Sequence, residues 1–263
     1  MEPIVTEEYL QIPSTRLLRW FLQRKNNTFI MFDTETTGLG GRGRTEQITQ
    51  LAAIAVKFDL RTLKFVEINR FQENIKLNDH IKDIMKDTED VPDDATNREI
   101  KSLMYRNNVK ATLRFNHYDL LNSENFADER DALERFDNYI ETHTNVVLMA
   151  HNVPFDLKMI QVHEIFKTKT REFFDTRDFF RNVFFPALHS LSKENDHYKS
   201  IYNNFEDKPK GKSAAMEDLI KGFFTDPDEQ AVLLSRSHDA VVDCENTLGI
   251  IEKGLAIVVN HIR

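Results

Sequence analysis

Residues 28–38 read TFIMFDTETTG, an apolar strand that ends in acid. Ile30, Met31 and Phe32 belong in a core, and Asp33 and Glu35 follow two residues apart. Side chains alternate faces along a strand, so residues i and i+2 share a face, roughly 6–7 Å apart. Asp33 and Glu35 therefore converge at the end of a buried strand. Two anions so placed repel each other, and burying either one unpaired costs several kcal/mol. A divalent cation relieves both problems, and carboxylate oxygens suit Mg²⁺ or Mn²⁺. Taken alone, the pair is better explained as a solvated strand end with two ordinary acids, because the pattern is common by chance. Gly38 permits a close backbone turn beside whatever the acids hold.

That strand opens a series. TFIMFDT at 28–34, QITQLAAIAVKF at 47–58 and LKFVEINRFQ at 63–72 predict three strands, the first turn being GLGGRGRTEQ at 38–47. Consecutive strands of this kind predict an antiparallel meander. VVLMA at 146–150 and REFFDT at 171–176 predict two more strands. Helical patterns mark 9–24, 93–108, 126–143, 154–167, 213–224 and a long stretch from Asp239 to about His261. Trp20 and Phe21 would pin the first helix to the body, and Ser213 would cap the 213–224 helix, with Glu217 nearby. Residues 186–212 are polar and lack a period, which reads as an excursion or flexible loop. There is no internal repeat and no clean boundary, so one α/β domain with insertions is preferred.

Composition narrows the function classes. Apolar residues are 40% and aromatics 10% of 263 residues, enough for a sizeable core and against disorder. A net charge of -8 is not the profile of a protein that grips duplex DNA by broad phosphate neutralisation. Bound cations or local basic patches can still reach phosphates. The single cysteine, Cys244, rules out an intrachain disulfide and a cysteine-based zinc cluster, and a reducing compartment fits it. Cys244 itself reads as a small buried hydrophobe. The first ten residues do not resemble a secretory signal, and no apolar run reaches membrane-spanning length. A cytoplasmic or nuclear protein, not secreted and without a membrane partner, is expected.

Two further segments carry acids. AHNVPFD at 150–156 ends a buried strand at His151 and Asn152 and places Asp156 in the first turn of a helix. The helix dipole alone also favours an acid there. SHDAVVD at 237–243 starts the last helix. If that helix begins near His238 or Asp239, Asp243 lies about 1.4 turns past His238. Asp243 can then face a metal while His238 reaches a water beside it, and Asp239 is the expected cap.

FDTETTG, HNVPFD and HDAVVD, in that order, resemble the three exonuclease motifs of the DnaQ-like superfamily, and more narrowly its DEDDh branch, with four acids and a histidine. The similarity runs from about residue 28 to 252 and includes FFDT at 173–176 and AAMEDLI before the third motif. The resemblance implies an RNase H-like α/β fold, a mixed sheet of about five strands flanked by helices. It implies removal of nucleotides from 3′ ends of single-stranded DNA or RNA with two divalent cations, Mg²⁺ or Mn²⁺. Asp33, Glu35, Asp156 and Asp243 would be the metal-binding acids. Asp33 would lie between both ions, Glu35 and Asp243 would complete one site, and Asp156 would support the other. His238 would be the general base. Thr36, Thr37, Gly38 and Leu39, with His151, Asn152 and Phe155, would meet the terminal nucleotide. Residues 1–27 would be a helical extension and 28–263 the exonuclease domain, with insertions near 86–111 and 186–212.

The rivals are a nucleic-acid-binding module without chemistry and a proofreading or assembly subunit that works through a polymerase or nuclease complex. Neither oligomeric state nor DNA against RNA is readable from motif spacing. Arg42, Arg44, Lys158, Lys167, Lys169, Arg171 and Arg236 lie near the motifs and are candidates for steering phosphates. GLGGRGR is not a dinucleotide fingerprint, and KPKGKS at 208–213 has Glu206 where a phosphate-binding loop needs glycine. His189 and His197 are not expected to bind metal.

Overall fold

The computed structural model describes residues 16–38, 46–86, 126–161, 164–166, 171–209 and 211–262. In chain order these form α1 (Arg16–Gln23), β1 (Thr28–Thr36), β2 (Ile48–Asp59), β3 (Lys64–Asn74), α2 (Asp79–Lys86), α3 (Glu129–Glu141), β4 (Val146–Ala150), α4 (Val153–Ile160), β5 (Glu172–Asp175) and α5 (Thr176–Phe179). A π-helical turn (Phe180–Phe184) follows, then α6 (Phe185–Ser192), α7 (Asp196–Asn203), the short strands β6 (Asp207–Lys208) and β7 (Gly211–Lys212), α8 (Met216–Phe223), α9 (Pro227–Ser235) and α10 (Ala240–Ile262). The 93–108 helix and all but the first residue of the 86–111 insertion lie outside the described residues. So do Leu39, Arg42, Arg44, Lys167 and Lys169.

The main sheet has the order β3-β2-β1-β4-β5. The β1, β2 and β3 strands form the expected antiparallel meander, whereas β1, β4 and β5 run parallel. This is the mixed five-stranded α/β sheet flanked by helices that the resemblance implies. As the middle strand, β1 is paired on both edges and covered on both faces, which explains its unbroken apolar run. Phe29 and Met31 enter one core; Ile30 and Phe32 enter the other. The first core is rich in phenylalanine, with Phe21, Phe180, Phe184, Phe185, Phe205 and Phe223 joined by Leu248 and Ile251 of α10. The second holds Leu133, Phe136 and Ile140 of α3 with Met159 and Ile160 of α4. The expected anchors of α1 hold: Phe21 is fully buried, and the Trp20 ring lies 4.4 Å from that of Phe174.

Three expectations are corrected. Residues 186–212 are not a loop but most of α6, then α7 and a small hairpin, with Leu188, Tyr198 and Phe205 in the first core. Each eight-residue helix there buries only one or two side chains, too few to leave a period in the sequence. Gly222 admits the Phe205 ring against α8, since a Cβ there would collide with it. The 154–167 helix stops at Ile160. Helix α8 begins at Met216 and not at a Ser213 cap; the Ser213 hydroxyl donates to Asp218 instead. No helix among the described residues is long and apolar enough to cross a membrane.

Candidate active site at the carboxyl edge of the sheet

Pairing of β1 with β4 ends at Met31 opposite Met149, so Asp33 to Thr36 run on past the neighbouring strand. The parallel strands β4 and β5 also end at this edge. A register irregularity against β2 between Glu35 and Thr36 adds local twist where the strand stops. Helix α4 covers one face of this strand end and α10 the other. Strand alternation then sorts the side chains. Thr34 turns towards α4, on the face of Ile30 and Phe32. Asp33 and Glu35 share the face of Phe29 and Met31, against which α10 packs.

Each acid is held by a defined device. The backbone N of Thr34 (3.0 Å) and its Oγ1 (2.7 Å) both donate to Asp156 Oδ1. Burial pushes the Asp156 carboxyl from its ordinary 3.8 up to about 7, the Thr34 donors opposing and the Asp175 charge adding to the rise. Asp243 accepts from the backbone N of His238 at 3.1 Å through Oδ2. Its Oδ1 is buried, and the Asn246 side chain bears on the carboxyl and opposes the rise in its pKa. Burial raises this carboxyl to about 6. Asp33 is raised well above the carboxylate range, first by burial and then by the charges of Asp156, Glu35, Asp243 and Asp239. Glu35, His238 and Asp243 place ligand atoms within 4.8 Å of one another. Four acids from three remote segments thus gather about Asp33.

His238 stands between α9 and α10 with φ at 70°, a left-handed conformation that costs a non-glycine residue about 1–3 kcal/mol. Burial lowers its pKa, and the Glu217 charge opposes that. Its Nε2 lies 3.9 Å from Glu217 Oε1. Asp239 is the cap expected, accepting from Val241 N at 3.1 Å and Val242 N at 3.3 Å. Gln50 Oε1 accepts from Ala240 N at 2.6 Å and so ties the start of α10 to β2.

The residues expected to meet a nucleotide divide. Thr36 donates to the Gly38 carbonyl at 2.7 Å and shapes the turn after β1. Asn152 adopts φ 82°, ψ 55° at the start of α4, and its N donates to Asp175 at 3.3 Å. Phe155 is half-buried beside Asp156. Thr37, by contrast, is fully buried, and its hydroxyl accepts from Gln47 N at 2.9 Å. His151 has both ring nitrogens engaged, Nδ1 with Thr176 Oγ1 at 3.0 Å and Nε2 with the Ala214 carbonyl at 2.9 Å. Burial draws its pKa down to about 4. Thr37 and His151 therefore brace the site from within. Arg171 is also occupied: it pairs with Asp137 and Glu141, each at 2.8 Å, and lies over the Phe166 ring. Arg236 is exposed at the end of α9. His189 packs at 5.1 Å from the Tyr202 ring. Cys244 is buried, as expected.

Sequence reading missed Thr34, Gln50, Asp175 and Glu217. Thr34 alone left a signal, since a residue between Asp33 and Glu35 must face away from them; what it meets there depends on the packing of α4. As for metal, the donor set fits. It is rich in carboxylate oxygen with one imidazole, and like charges from the chain raise Asp33.

No family model matches the chain, and no curated protein does. Solved structures do. One is E. coli exonuclease I with zinc and single-stranded DNA: 15% identity, TM-score 0.53, covering 86% of this chain and 40% of that one. Another is the apo form of exonuclease I: 14% identity, TM-score 0.53, covering 90% and 44%. The chain thus spans less than half the length of these structures. At such identity the likeness concerns the fold, which is the RNase H-like arrangement.

Proposed function

We propose that the protein is a metal-dependent 3′-to-5′ exonuclease that acts on single-stranded DNA ends and releases nucleoside 5′-monophosphates. The observation that carries this reading is the gathering of Asp33, Glu35, Asp156 and Asp243 beside His238. A purely structural cluster of this kind would oppose folding with nothing gained, because each carboxylate raises the cost of ionising the next. Residues 28–263 would form the catalytic domain and 1–27 an extension to it. Single-stranded DNA is favoured over RNA because a structure of like fold, E. coli exonuclease I, holds that ligand.

In this reading Asp33, Glu35 and Asp243 would hold one divalent cation, and Asp33 with Asp156 a second. Bound there, such cations neutralise charge on the scissile phosphate and lower the pKa of the attacking water. Thr34 keeps Asp156 aimed inward through two hydrogen bonds. His238 takes the proton of the water at Nε2. Its depressed pKa leaves the imidazole neutral and able to accept at working pH. Glu217 Oε1 faces the imidazolium that results. Thr36 and Gly38 set the turn against which the terminal nucleotide would rest.

The test is digestion of matched DNA and RNA oligomers labelled at the 5′ end, with Mg²⁺, Mn²⁺ or EDTA. The expected result is a DNA ladder that shortens from the 3′ end and vanishes with EDTA. Binding without any metal-dependent shortening would establish a non-catalytic module instead.

A further inference from the structure

Arg177 has no part in the chemistry above, yet its neighbours place it beside the acids. It follows Asp175 and Thr176 directly after β5. Asp175 accepts from Asn152 N and bears electrostatically on Asp156. The Thr176 hydroxyl lies 3.0 Å from His151 Nδ1 and 3.2 Å from the Ala150 carbonyl, and with His151 neutral and its Nε2–H donating to Ala214 the hydroxyl proton goes to Nδ1. The charge of Arg177 reaches His151, whose imidazole it helps to keep neutral. His151 is bonded in turn to Ala214, just before the helix that carries Glu217. Arg177 therefore flanks the acid cleft on its β5 side.

Its guanidinium is in an unusual state. The Nε is buried and donates to nothing among the described residues. Arg24, Arg70, Arg130, Arg135 and Arg171 each pair with a described carboxylate. Exposed arginines find partners in water, whereas a buried N–H without an acceptor is costly. The nearest acid in sequence, Asp175, already accepts from Asn152 N and Asp178 N. Among the described residues no carboxylate pairs with Arg177, so a guanidinium with one buried, unpartnered N–H stands at the flank of a site whose carboxylates would otherwise repel a polyanion.

We propose that Arg177 binds a backbone phosphate of the single strand on the 5′ side of the scissile linkage. Guanidinium presents a planar fork of donors that suits phosphate, and one such charge on either side of the cleft would set the strand's path. The identity of the ligand rests on the exonuclease reading, but binding can be measured apart from turnover.

The probe is a short oligo(dT) with a fluorescent 5′ label, followed by anisotropy with Ca²⁺ in place of Mg²⁺ over a range of salt. Losing one phosphate contact should weaken binding of Arg177→Gln roughly tenfold. It should also flatten the slope of log affinity against log salt by about 0.7, the single-strand value for one phosphate. Arg177→Lys should keep most of that slope. Arg130→Gln, which removes a charge that Glu134 holds on the surface of α3, should match wild type. Unchanged affinity and slope in Arg177→Gln would overturn the proposal, and so would lost affinity at constant slope, which marks a folding defect. Wild type that binds with the expected slope but never shortens the strand would remove the exonuclease reading and leave this contact standing.

Discussion

One face of β1 serves two regions with opposite energetics. Phe29 and Met31 enter the phenylalanine-rich core; Asp33 and Glu35, on the same face further along, enter the acid cluster. In the core each added ring stabilises its neighbours. Phe180, for example, meets Phe184 at 5.2 Å, Phe179 at 5.3 Å and Phe223 at 5.6 Å. At the strand end each added carboxylate makes the others harder to ionise. The core contributes stability that the acid edge partly offsets, as the proposed cation-binding role would require.

Four expected outcomes sharpen or break this contrast. The largest is Asp33→Asn, which should abolish turnover and weaken metal binding while raising the melting temperature of the metal-free protein. The gain is about 2–4 °C for each kcal/mol of repulsion relieved. Calorimetry with an activity assay checks both, and a drop in melting temperature would break the comparison. His238→Ala should lose about 10²–10⁴ in rate yet still bind metal. Loss of metal binding, read by isothermal titration, would make His238 a ligand, as its place near Glu35 and Asp243 also allows.

Phe180→Ala should behave in the opposite sense to Asp33→Asn, costing about 3–5 kcal/mol in denaturant unfolding. A cost near zero would mean that the aromatic cluster is loosely packed. The smallest effect is on pH dependence. Asp156 at about 7 and Asp243 at about 6 both lie above their ordinary 3.8. The folded chain holds protons that the unfolded chain releases, so their stabilising effect is full below pH 3.8 and drains away as pH rises through 6 and 7. Without metal, the melting temperature should fall across that window. Mg²⁺ should lessen the fall, because cation binding favours the ionised carboxylates. A metal-free melting curve that is flat with pH would show the acids to be ordinary.

How far the site was legible can be judged residue by residue. Asp33 and Glu35 were readable because strand alternation is local: two residues apart means one face. Asp239 was readable as a cap for the same reason. The helices within 186–212 were not, because each buries too few side chains to imprint a period, and what they bury against comes from distant parts of the chain. The resemblance set His151 among the substrate contacts, whereas both its nitrogens are engaged by Thr176 and Ala214. Nothing near residue 151 announces either partner.

The amino-acid sequence by itself determined the strand and helix pattern around the three motifs and the acid character of each, since dihedral preference and face alternation act over a few residues. Tertiary structure alone decided that α4 and α10 close on β1 from opposite faces. That packing brings Thr34 to Asp156 and Glu217 to His238, and sets Asp33 among the charges of Glu35, Asp156 and Asp243. The physical reason is range: propensity ends within a turn or two, while electrostatic coupling at the site joins residues more than a hundred positions apart.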